Sequence, residues 1–418
     1  MKFPTHLRLG NTKLVSAVPV VAGLLSLASG PVLAQDTITL GAAVSETGKY
    51  STNGKNTKDG YELAVKKVND MGGVNVGGKT YKLEVKYYDD ESTPARGAEL
   101  AERLISQDNV QFMLGPYSSG MTKAIAPVSE KHNIPMIEAN GASRSLFTQG
   151  YKYLFAVLST SDQYLSSAMD LRAEMAEADG KKPSDMKVAG AFEDDPFSQD
   201  VRAGVLADAK KYGMKMVIDD KLPPELNDMS TTLTKAKALK PDLLVISGHS
   251  KGAALGIRQI SEMKVNVPML AMTHCDSAQI IKKFGKAAEY TLCGSQWAPS
   301  LSYKDKWFGT AEDFAKAFKA AYNYDPPYQA AESAAAVLVY VDAIQRAGSL
   351  DKDKVRDAIA ATDMQTFYGN IKFDDTGKNT AKPMVLFQVQ DGEYKVVAPT
   401  KWASSKLRYP TPPWSERE

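Results

Sequence analysis

Short apolar runs alternate with amphipathic segments along most of the chain. Residues 37–44 form the first apolar run and predict a buried strand. Between Tyr61 and Val68, apolar residues recur at helical spacing, and this segment stops at Gly72, a residue type that commonly closes a helix. The pattern then changes at residues 81–87, where apolar and charged side chains alternate as in a half-exposed strand.

The same alternation continues and predicts a series of strands separated by helix-length segments. Such an order favours parallel sheets that are covered by helices on both faces. The strands are too numerous for one small domain, so the sequence predicts an α/β protein with two Rossmann-like lobes. The further strands are predicted at residues 110–114, 134–137, 153–161, 187–192, 215–218, 242–247, 268–272 and 291–294.

The C-terminal third departs from this alternation. Residues 310–322 and 331–347 predict two helices, the second rich in alanine. Two more strands are predicted on either side of the Asp-Gly pair at residues 391–392, which suits a type I′ hairpin turn. Four prolines from Pro399 to Pro413 predict an extended strap rather than a helix or a central strand.

The first 34 residues have the features of a secretory signal peptide. Three basic residues and no acidic one accompany an apolar run at residues 14–27, and the predicted cleavage lies between Ala34 and Gln35. Because Gln35 is not a cysteine, no lipid anchor is expected on that residue, and a periplasmic location is predicted. The alternatives are an uncleaved anchor or a buried N-terminal helix.

Removal of that segment leaves a nearly neutral protein. The whole chain has 51 basic and 49 acidic residues, a net charge of +2, and loss of the three basic residues leaves 48 against 49, or −1. A protein without a strong field has no long-range attraction for nucleic acids or for anionic membranes. Neither class of partner is therefore expected.

Cys275 and Cys293 are the two cysteines of the chain. An even pair permits a disulfide in an oxidising compartment. Two free buried thiols fit the sequence equally well, and the spacing gives no support to a metal or redox centre.

Polar residues follow several of the predicted strands, at the sheet edge where ligands collect in open parallel sheets. The sharpest such turn is Ser118-Ser119-Gly120, whose hydroxyls and backbone N–H groups precede a helix, where the dipole favours an anion. A ligand carboxylate needs no arginine at such a turn. The simpler interpretation is that Ser118 or Ser119 only caps the helix, and the two interpretations are compatible.

His249 and His274 also follow predicted strands, where they are placed to contact a ligand or a metal. A metal site would need further ligands, and His132 lies apart on a polar helix, so no metal and no cofactor are expected. The carboxylates from Glu193 to Asp195 indicate a solvated loop or a set of charges at a helix N-terminus. Without a phosphate loop, an esterase elbow or an H-E-x-x-H motif, the sequence predicts no enzyme.

Several segments resemble, in order, the branched-chain amino-acid-type periplasmic solute-binding proteins of ABC importers. The resemblance runs over nearly the whole mature chain and rests on residues 38–48, 53–55, 59–73, 88–94, 115–119, 212–213 and 373–377. It implies the type I periplasmic binding protein fold, in which two Rossmann-like lobes with parallel-rich sheets are joined by a hinge of three crossovers. The implied crossovers lie near residues 159–162, 297–301 and 376–382. The implied N-terminal lobe comprises residues 35–160 and 300–378, and the implied C-terminal lobe comprises residues 161–299 and 379–418.

The resemblance also implies a ligand site between the lobes. Ser118 and the backbone around residues 140–142 would bind a ligand carboxylate, and Phe197, His249 and the turn at residues 273–274 would close over it. The full implied set of ligand-binding residues is Asn53, Tyr117, Ser118, Ser119, Asn140, Gly141, Ala142, Phe197, His249, Thr273, His274 and Glu332.

Three positions depart from the amino-acid binders of this family. Ala142 stands where they carry a hydroxyl, His249 where they carry an aromatic ring, and Thr273 where they carry a carboxylate for the α-ammonium group. An ammonium group needs an acidic partner, which Asp276 or Glu332 would have to supply. If neither does so, the expected ligand is an aromatic or aliphatic acid without the amine.

Together these features predict a monomeric transport receptor that captures a small carboxylate-bearing molecule and delivers it to the permease subunits of an ABC importer. The alternative is a binding module that presents its ligand to a membrane sensory receptor. An enzyme on the same scaffold would need a nucleophile and a base, and the sequence motifs supply no such pair.

Overall fold

The computed structural model describes Met1 and residues 36–417. Asp36–Glu418 forms one compact unit. The predicted signal peptide and its cleavage point between Ala34 and Gln35 lie outside the described residues, apart from Met1. Within the described part of the chain, no helix is both long and apolar enough to cross a membrane.

A first sheet gathers six strands from the N-terminal part of the chain. They are β1 (Thr37–Val44), β2 (Val74–Val76), β3 (Lys79–Asp89), β4 (Phe112–Leu114), β5 (Met136–Glu138) and β6 (Leu154–Ala156). The connecting helices are α1 (Ser51–Asp70), α2 (Pro94–Ser106) and α3 (Ser119–Lys131). The strand order is β2-β3-β1-β4-β5-β6, and every neighbouring pair except β2 and β3 is parallel. We call this sheet and its helices the first lobe.

A second sheet holds seven strands and forms the centre of the second lobe. Five of them alternate with helices: β7 (Lys187–Glu193), β8 (Lys215–Leu222), β9 (Leu243–Ser247), β10 (Leu270–Thr273) and β11 (Leu292–Ser295). The helices are α4 (Ser166–Ala178), α5 (Pro196–Tyr212), α6 (Ser230–Leu239), α7 (Ser250–Glu262) and α8 (Ala278–Phe284). These five strands pair in parallel, in the order β11-β10-β9-β7-β8.

The C-terminal third adds elements to both lobes. They are β12 (Lys304–Asp305), β13 (Gly309–Thr310), α9 (Ala311–Tyr322), α10 (Tyr328–Ala347), α11 (Lys352–Ala360), β14 (Asp363–Gln365), β15 (Asn370–Lys372), β16 (Val385–Gln390) and β17 (Glu393–Ala398). Helix α10 packs so closely on α1 that a Cβ atom on Gly60 would lie 2.2 Å from the carbonyl oxygen of Ala330. The hairpin β16–β17 joins the second sheet beside β11 in antiparallel pairing.

Three connections link the two sheets, and one residue of each connection takes part in a shared hydrogen-bond cluster. The Ser159 amide donates to Oε1 of Gln296 at 3.1 Å, and Nε2 of Gln296 donates to the Ser159 carbonyl at 2.8 Å. The Ser159 hydroxyl donates to the Lys382 carbonyl at 2.6 Å, while Nζ of Lys382 donates to the Gln296 carbonyl. We call Ser159, Gln296 and Lys382 the hinge cluster, because relative motion of the lobes has to pass through these connections.

The predicted α/β class with two parallel-rich sheets is confirmed. The hairpin turn at residues 391–392 has positive φ at both positions, 55° and 74°, as a type I′ turn requires. The pattern missed β2, because three residues are too few to establish a period, and it placed the start of α10 three residues late. The lobe boundaries in sequence remain a prediction.

Candidate functional site

The two lobes meet through buried aromatic and imidazole side chains that follow strand ends. Tyr117 lies after β4 in the first lobe, whereas His249 and His274 lie after β9 and β10 in the second. The Tyr117 hydroxyl oxygen is 2.9 Å from Nδ1 of His249 and 2.9 Å from Nε2 of His274. The Tyr328 hydroxyl, at the start of α10, lies 3.2 Å from the same His274 nitrogen. Tyr117 therefore joins two strand-end loops of the opposite lobe.

Other aromatic rings enclose this contact. Phe197, in the first turn of α5, packs on His274 with ring centroids 5.0 Å apart, and Tyr164 packs edge-on against Phe197 at the same distance. Tyr50 lies against His249, with centroids 4.8 Å apart. The result is a buried, largely aromatic contact zone, in which each polar group has a strong effect.

Charge is distributed unequally over the two histidines. Burial alone would lower the pKa of His249, but the carboxylates of Asp195 and Glu193 outweigh it and raise that pKa. Burial opposes the ionisation of Asp195 and by itself would raise the pKa of this carboxyl group. The positive charge of His249 outweighs burial, so the pKa of Asp195 is lowered. Burial and the charge of His249 together lower the pKa of His274 to about 3, so this imidazole is neutral and accepts at Nε2.

Ser118 begins α3 with an unusual backbone conformation. Its φ of 82° and ψ of 148° lie in a region that side chains rarely adopt, and the residue is 2% exposed. Its hydroxyl accepts a hydrogen bond from the Met121 amide at 3.3 Å, which is the cap that the sequence predicts as the simpler role. Ser119 is committed elsewhere, since its hydroxyl accepts from the Ser143 amide at 3.0 Å.

Two of the backbone amides around residues 140–142, where the resemblance implies a ligand carboxylate, are engaged within the protein. The amides of Asn140 and Gly141 donate to one carboxylate oxygen of the buried Glu138, the latter at 2.6 Å, and the Ala142 carbonyl accepts from the Ser161 amide. Burial raises the pKa of Glu138 to about 7 against the effect of these hydrogen bonds. The Asn140 side chain donates to Ser333, and its Oδ1 has no hydrogen-bond partner among the described residues.

Two further expected residues hold the loops together. Asn53 in α1 accepts at Oδ1 from the Ser250 hydroxyl of the opposite lobe at 2.9 Å. The Thr273 hydroxyl donates to the Gly248 carbonyl at 2.8 Å and so ties the loop after β10 to the loop after β9. Next to it, Cys275 and Cys293 form a disulfide with Cα atoms 5.5 Å apart. This bridge fixes the base of the loop that carries His274.

A profile described as "Periplasmic binding protein" matches residues 37–393. The chain belongs to this family. Leu/Ile/Val-binding protein homolog 7 of Brucella suis biovar 1 is 24% identical over 403 residues, which cover 94% of this chain and 98% of that protein.

Two solved structures share the fold of this periplasmic binding protein. LivJ from Streptococcus pneumoniae, solved with isoleucine, has a TM-score of 0.75 at 22% identity and covers 87% of this chain and 100% of its own. A solute-binding protein from Rhodopseudomonas palustris BisB5, solved with 3,4-dihydroxybenzoic acid, has a TM-score of 0.73 at 22% identity. The match covers 86% of this chain and 95% of that protein. The predicted type I fold is confirmed.

The sequence offered two carboxylates, Asp276 and Glu332, as partners for the ammonium group of a ligand. In this periplasmic binding protein, Glu332 makes its contacts with other side chains of the protein. Glu332 is fully buried, accepts from the Tyr368 hydroxyl at 3.0 Å and faces the Lys382 ammonium group, which opposes the rise that burial causes in its pKa. Asp276 instead lines a cavity of about 520 Å³ beside Trp297 and Tyr328. Its Oδ2 accepts from the Ser295 hydroxyl at 2.7 Å, and burial raises its pKa to about 6.

Sequence reasoning missed Tyr50, Tyr164, Asp195 and Tyr328 as parts of the site of this periplasmic binding protein. Tyr50 and Asp195 immediately precede α1 and α5, and Tyr328 opens α10 after two prolines. The available signal was the position of each residue at a helix start near a strand end, where binding residues concentrate. Tyr164 carries no comparable signal, because it follows a crossover whose course the pattern does not specify.

Proposed function

We propose that this protein is the solute-binding component of an ABC importer, which captures a small carboxylate-bearing molecule between its lobes and delivers it to a membrane permease. Membership of the family supports a binding rather than a catalytic role. The related structures were solved with isoleucine and with 3,4-dihydroxybenzoic acid, and both of these ligands carry a carboxylate.

The observation that carries the proposal is the backbone of Ser118. A serine at φ 82° and ψ 148° costs of order 1–3 kcal/mol, and such conformations concentrate at ligand sites. The residue begins α3 directly after Tyr117, and its side chain lies beside the Tyr50 hydroxyl. Its hydroxyl and the first N–H groups of the helix form the kind of donor set that binds a carboxylate.

The aromatic contacts between the lobes suit a closing movement. Tyr117 reaches both histidines of the opposite lobe, and Asn53 reaches Ser250, so the lobes are in contact over the Ser118 turn. A ligand of any size has to enter when these contacts part. When the lobes close again, the restored contacts between them and the new contacts to the ligand would together favour the closed form that a permease recognises.

A thermal-shift screen of the mature protein, from Gln35 onward, tests the proposal. We expect a small acid or α-amino acid at a hundred times its dissociation constant to add about 2.7 kcal/mol to the free energy of unfolding, seen as a raised melting temperature. Amides of the same compounds, which lack the carboxylate charge, serve as matched controls and should not raise it. Stabilisation by neutral or cationic compounds alone would overturn the carboxylate assignment.

Asp276 gives a second prediction, which concerns the amine of the ligand. Because Asp276 carries no ion pair among the described residues, Asp276→Asn should weaken binding of an α-amino acid by at least about tenfold and leave amine-free acids unaffected. Asp325→Asn in the same cavity is the control, since Asp325 already pairs with Lys319 at 2.8 Å. An equal loss for both kinds of ligand would contradict a role for Asp276 in amine recognition.

The same variant has a pH-dependent effect on stability. The raised pKa of Asp276, about 6, means that the folded state binds a proton more tightly than the unfolded state, so stability from this group is present at low pH and lost as pH rises through 6. Asp276→Asn should therefore be more stable than the wild type by roughly 3 kcal/mol at pH 7.5 and by roughly half of that at pH 5. Melting temperatures at the two pH values measure the difference, and a gap that does not change with pH would contradict it.

A further inference from the structure

Three potential metal ligands meet at one point of the second lobe. Glu193 ends β7, Asp195 caps α5, and His249 immediately precedes α7. One ligand atom from each of them lies within 4.8 Å of the others. We propose that Glu193, Asp195 and His249 bind a first-row transition-metal ion of the Zn²⁺ type.

The first argument is that His249 has an unused nitrogen. The side chain is 5% exposed, and its Nε2 has no hydrogen-bond partner in the described structure, since the nearest oxygen of Asp195 is 3.6 Å away. Buried polar atoms are nearly always hydrogen-bonded, whereas this nitrogen has only the ion-pair contact with Asp195, in which a metal ion would take the place of the His249 proton. Two atoms that bind the same ion at about 2.1 Å in tetrahedral geometry lie roughly 3.4 Å apart. This value is close to the 3.6 Å between Nε2 of His249 and Oδ1 of Asp195.

The second argument is that the other nitrogen of His249 is already oriented. Its Nδ1 lies 2.9 Å from the Tyr117 hydroxyl oxygen, which can accept the N–H hydrogen. Metal-binding histidines usually donate their second ring N–H to such a partner, which fixes the ring and leaves the opposite nitrogen for the ion. Tyr117 would thus be a positioning residue for the metal site.

The carboxylates have free oxygens as well. Oδ1 of Asp195 accepts from the amides of Phe197 and Ser198, while its Oδ2 has no hydrogen-bond partner in the described part of the chain. Oε2 of Glu193 accepts only a long hydrogen bond, at 3.3 Å, from the His249 amide. A cavity of about 20 Å³, enough for one water-sized species, is lined by Glu193 and His249.

The donor set indicates the class of metal. One imidazole nitrogen with two carboxylate oxygens suits Zn²⁺ and its first-row neighbours, whereas Mg²⁺ and Ca²⁺ prefer oxygen alone. Three protein ligands leave a coordination position open for water or for a ligand oxygen. Because β7 and β9 are adjacent parallel strands of one sheet, the three ligands stay together whether the lobes are open or closed.

Sequence reasoning predicted no metal, because it sought further histidines and treated residues 193–195 as solvated charges. The structure instead supplies carboxylates, since the loops after β7 and β9 lie side by side. Two lysines oppose a cation, because Lys251 of α7 and Lys49 of the first lobe line the same small cavity; the ammonium group of Lys49 lies 3.6 Å from Glu225. Its removal should strengthen metal binding.

The experiment is calorimetric titration of the chelator-treated mature protein, without a histidine tag, with ZnCl₂. We expect one ion per chain, affinity at least about tenfold weaker in Asp195→Asn and in His249→Gln, and tighter binding in Lys49→Ala. Asp195→Asn keeps an oxygen for the cap of α5, so this variant should fold. His132→Gln is the control, because His132 pairs with Glu102 away from the site and should leave the affinity unchanged.

The spectrum of bound Co²⁺ gives a second readout, in which loss of the imidazole in His249→Gln should change the visible bands. The proposal is overturned if Zn²⁺ does not bind at a stoichiometry of one, or if both Asp195→Asn and His249→Gln bind it as the wild type does. The outcome is independent of the proposed function, because uptake of an organic acid is measured separately in the thermal-shift screen, with and without Zn²⁺.

Discussion

Lys382→Met is expected to lower the free energy of unfolding by about 1–3 kcal/mol, the cost of leaving a buried acceptor without its donor. Lys382 is 5% exposed and donates to the Gln296 carbonyl in the hinge cluster. Burial lowers its pKa to about 7, although the carboxyl group of Glu332 opposes that fall. Removal of the amino group leaves the buried Gln296 carbonyl without this donor and removes one of the contacts among the three crossovers. Chemical denaturation of the mature protein measures the effect.

Two other variants isolate the cause of that loss. Lys372→Met removes an exposed lysine that pairs with Asp363 at 2.6 Å, and it should change stability little, since exposed ion pairs contribute little. Adding Glu332→Gln to Lys382→Met should change stability little further, because burial raises the pKa of Glu332 and so favours its neutral form. A Lys382→Met protein as stable as Lys372→Met would contradict a structural role for the hydrogen bond from Lys382 to Gln296.

The electrostatic interaction between Glu332 and Lys382 also illustrates what the sequence could not predict. Glu332 and Lys382 are fifty residues apart, and neither the alanine-rich helix pattern around Glu332 nor the loop pattern around Lys382 marks a partner. The sequence therefore offered Glu332 to a ligand, whereas the packing of α10 beside the hinge directs it toward Lys382. Long-range pairing of buried charges depends on the tertiary arrangement, and local periodicity contains no information about it.

The parts that could be predicted depend on local pattern. Strand Thr37–Val44 was predicted with its observed bounds, because a buried central strand is one uninterrupted apolar run. The loops after β9 and β10 were predicted to lie at one sheet edge, since the carboxyl ends of parallel strands share an edge. Their meeting with the loop after β4, which belongs to the other sheet, was expected from the family resemblance alone. By contrast, the amides of Asn140 and Gly141 were offered to a ligand because the pattern gave no sign that Glu138 would turn back to accept from them.

Substitution of Ser118 is the second change with a large expected effect. Ser118→Ala and Ser118→Gly both remove the hydroxyl, so both should weaken binding of the carboxylate ligand found in the screen by about 10- to 100-fold. Their stabilities should differ, because alanine retains the cost of φ 82° and glycine does not, and glycine should be the more stable by about 1–2 kcal/mol. Calorimetric titration and thermal unfolding of the two proteins measure both quantities.

Ser119→Ala separates a binding role from a capping role. The Ser119 hydroxyl accepts from the Ser143 amide, so its loss should lower stability and leave ligand affinity nearly unchanged. If Ser118 only caps α3, both Ser118 variants would keep wild-type affinity, and only Ser118→Ala would lose about 1 kcal/mol of stability, as expected for Ser119→Ala. A Ser118→Gly protein that binds the ligand more weakly than the wild type but is more stable would instead mean that the backbone conformation of Ser118 is maintained for the ligand at the expense of the fold.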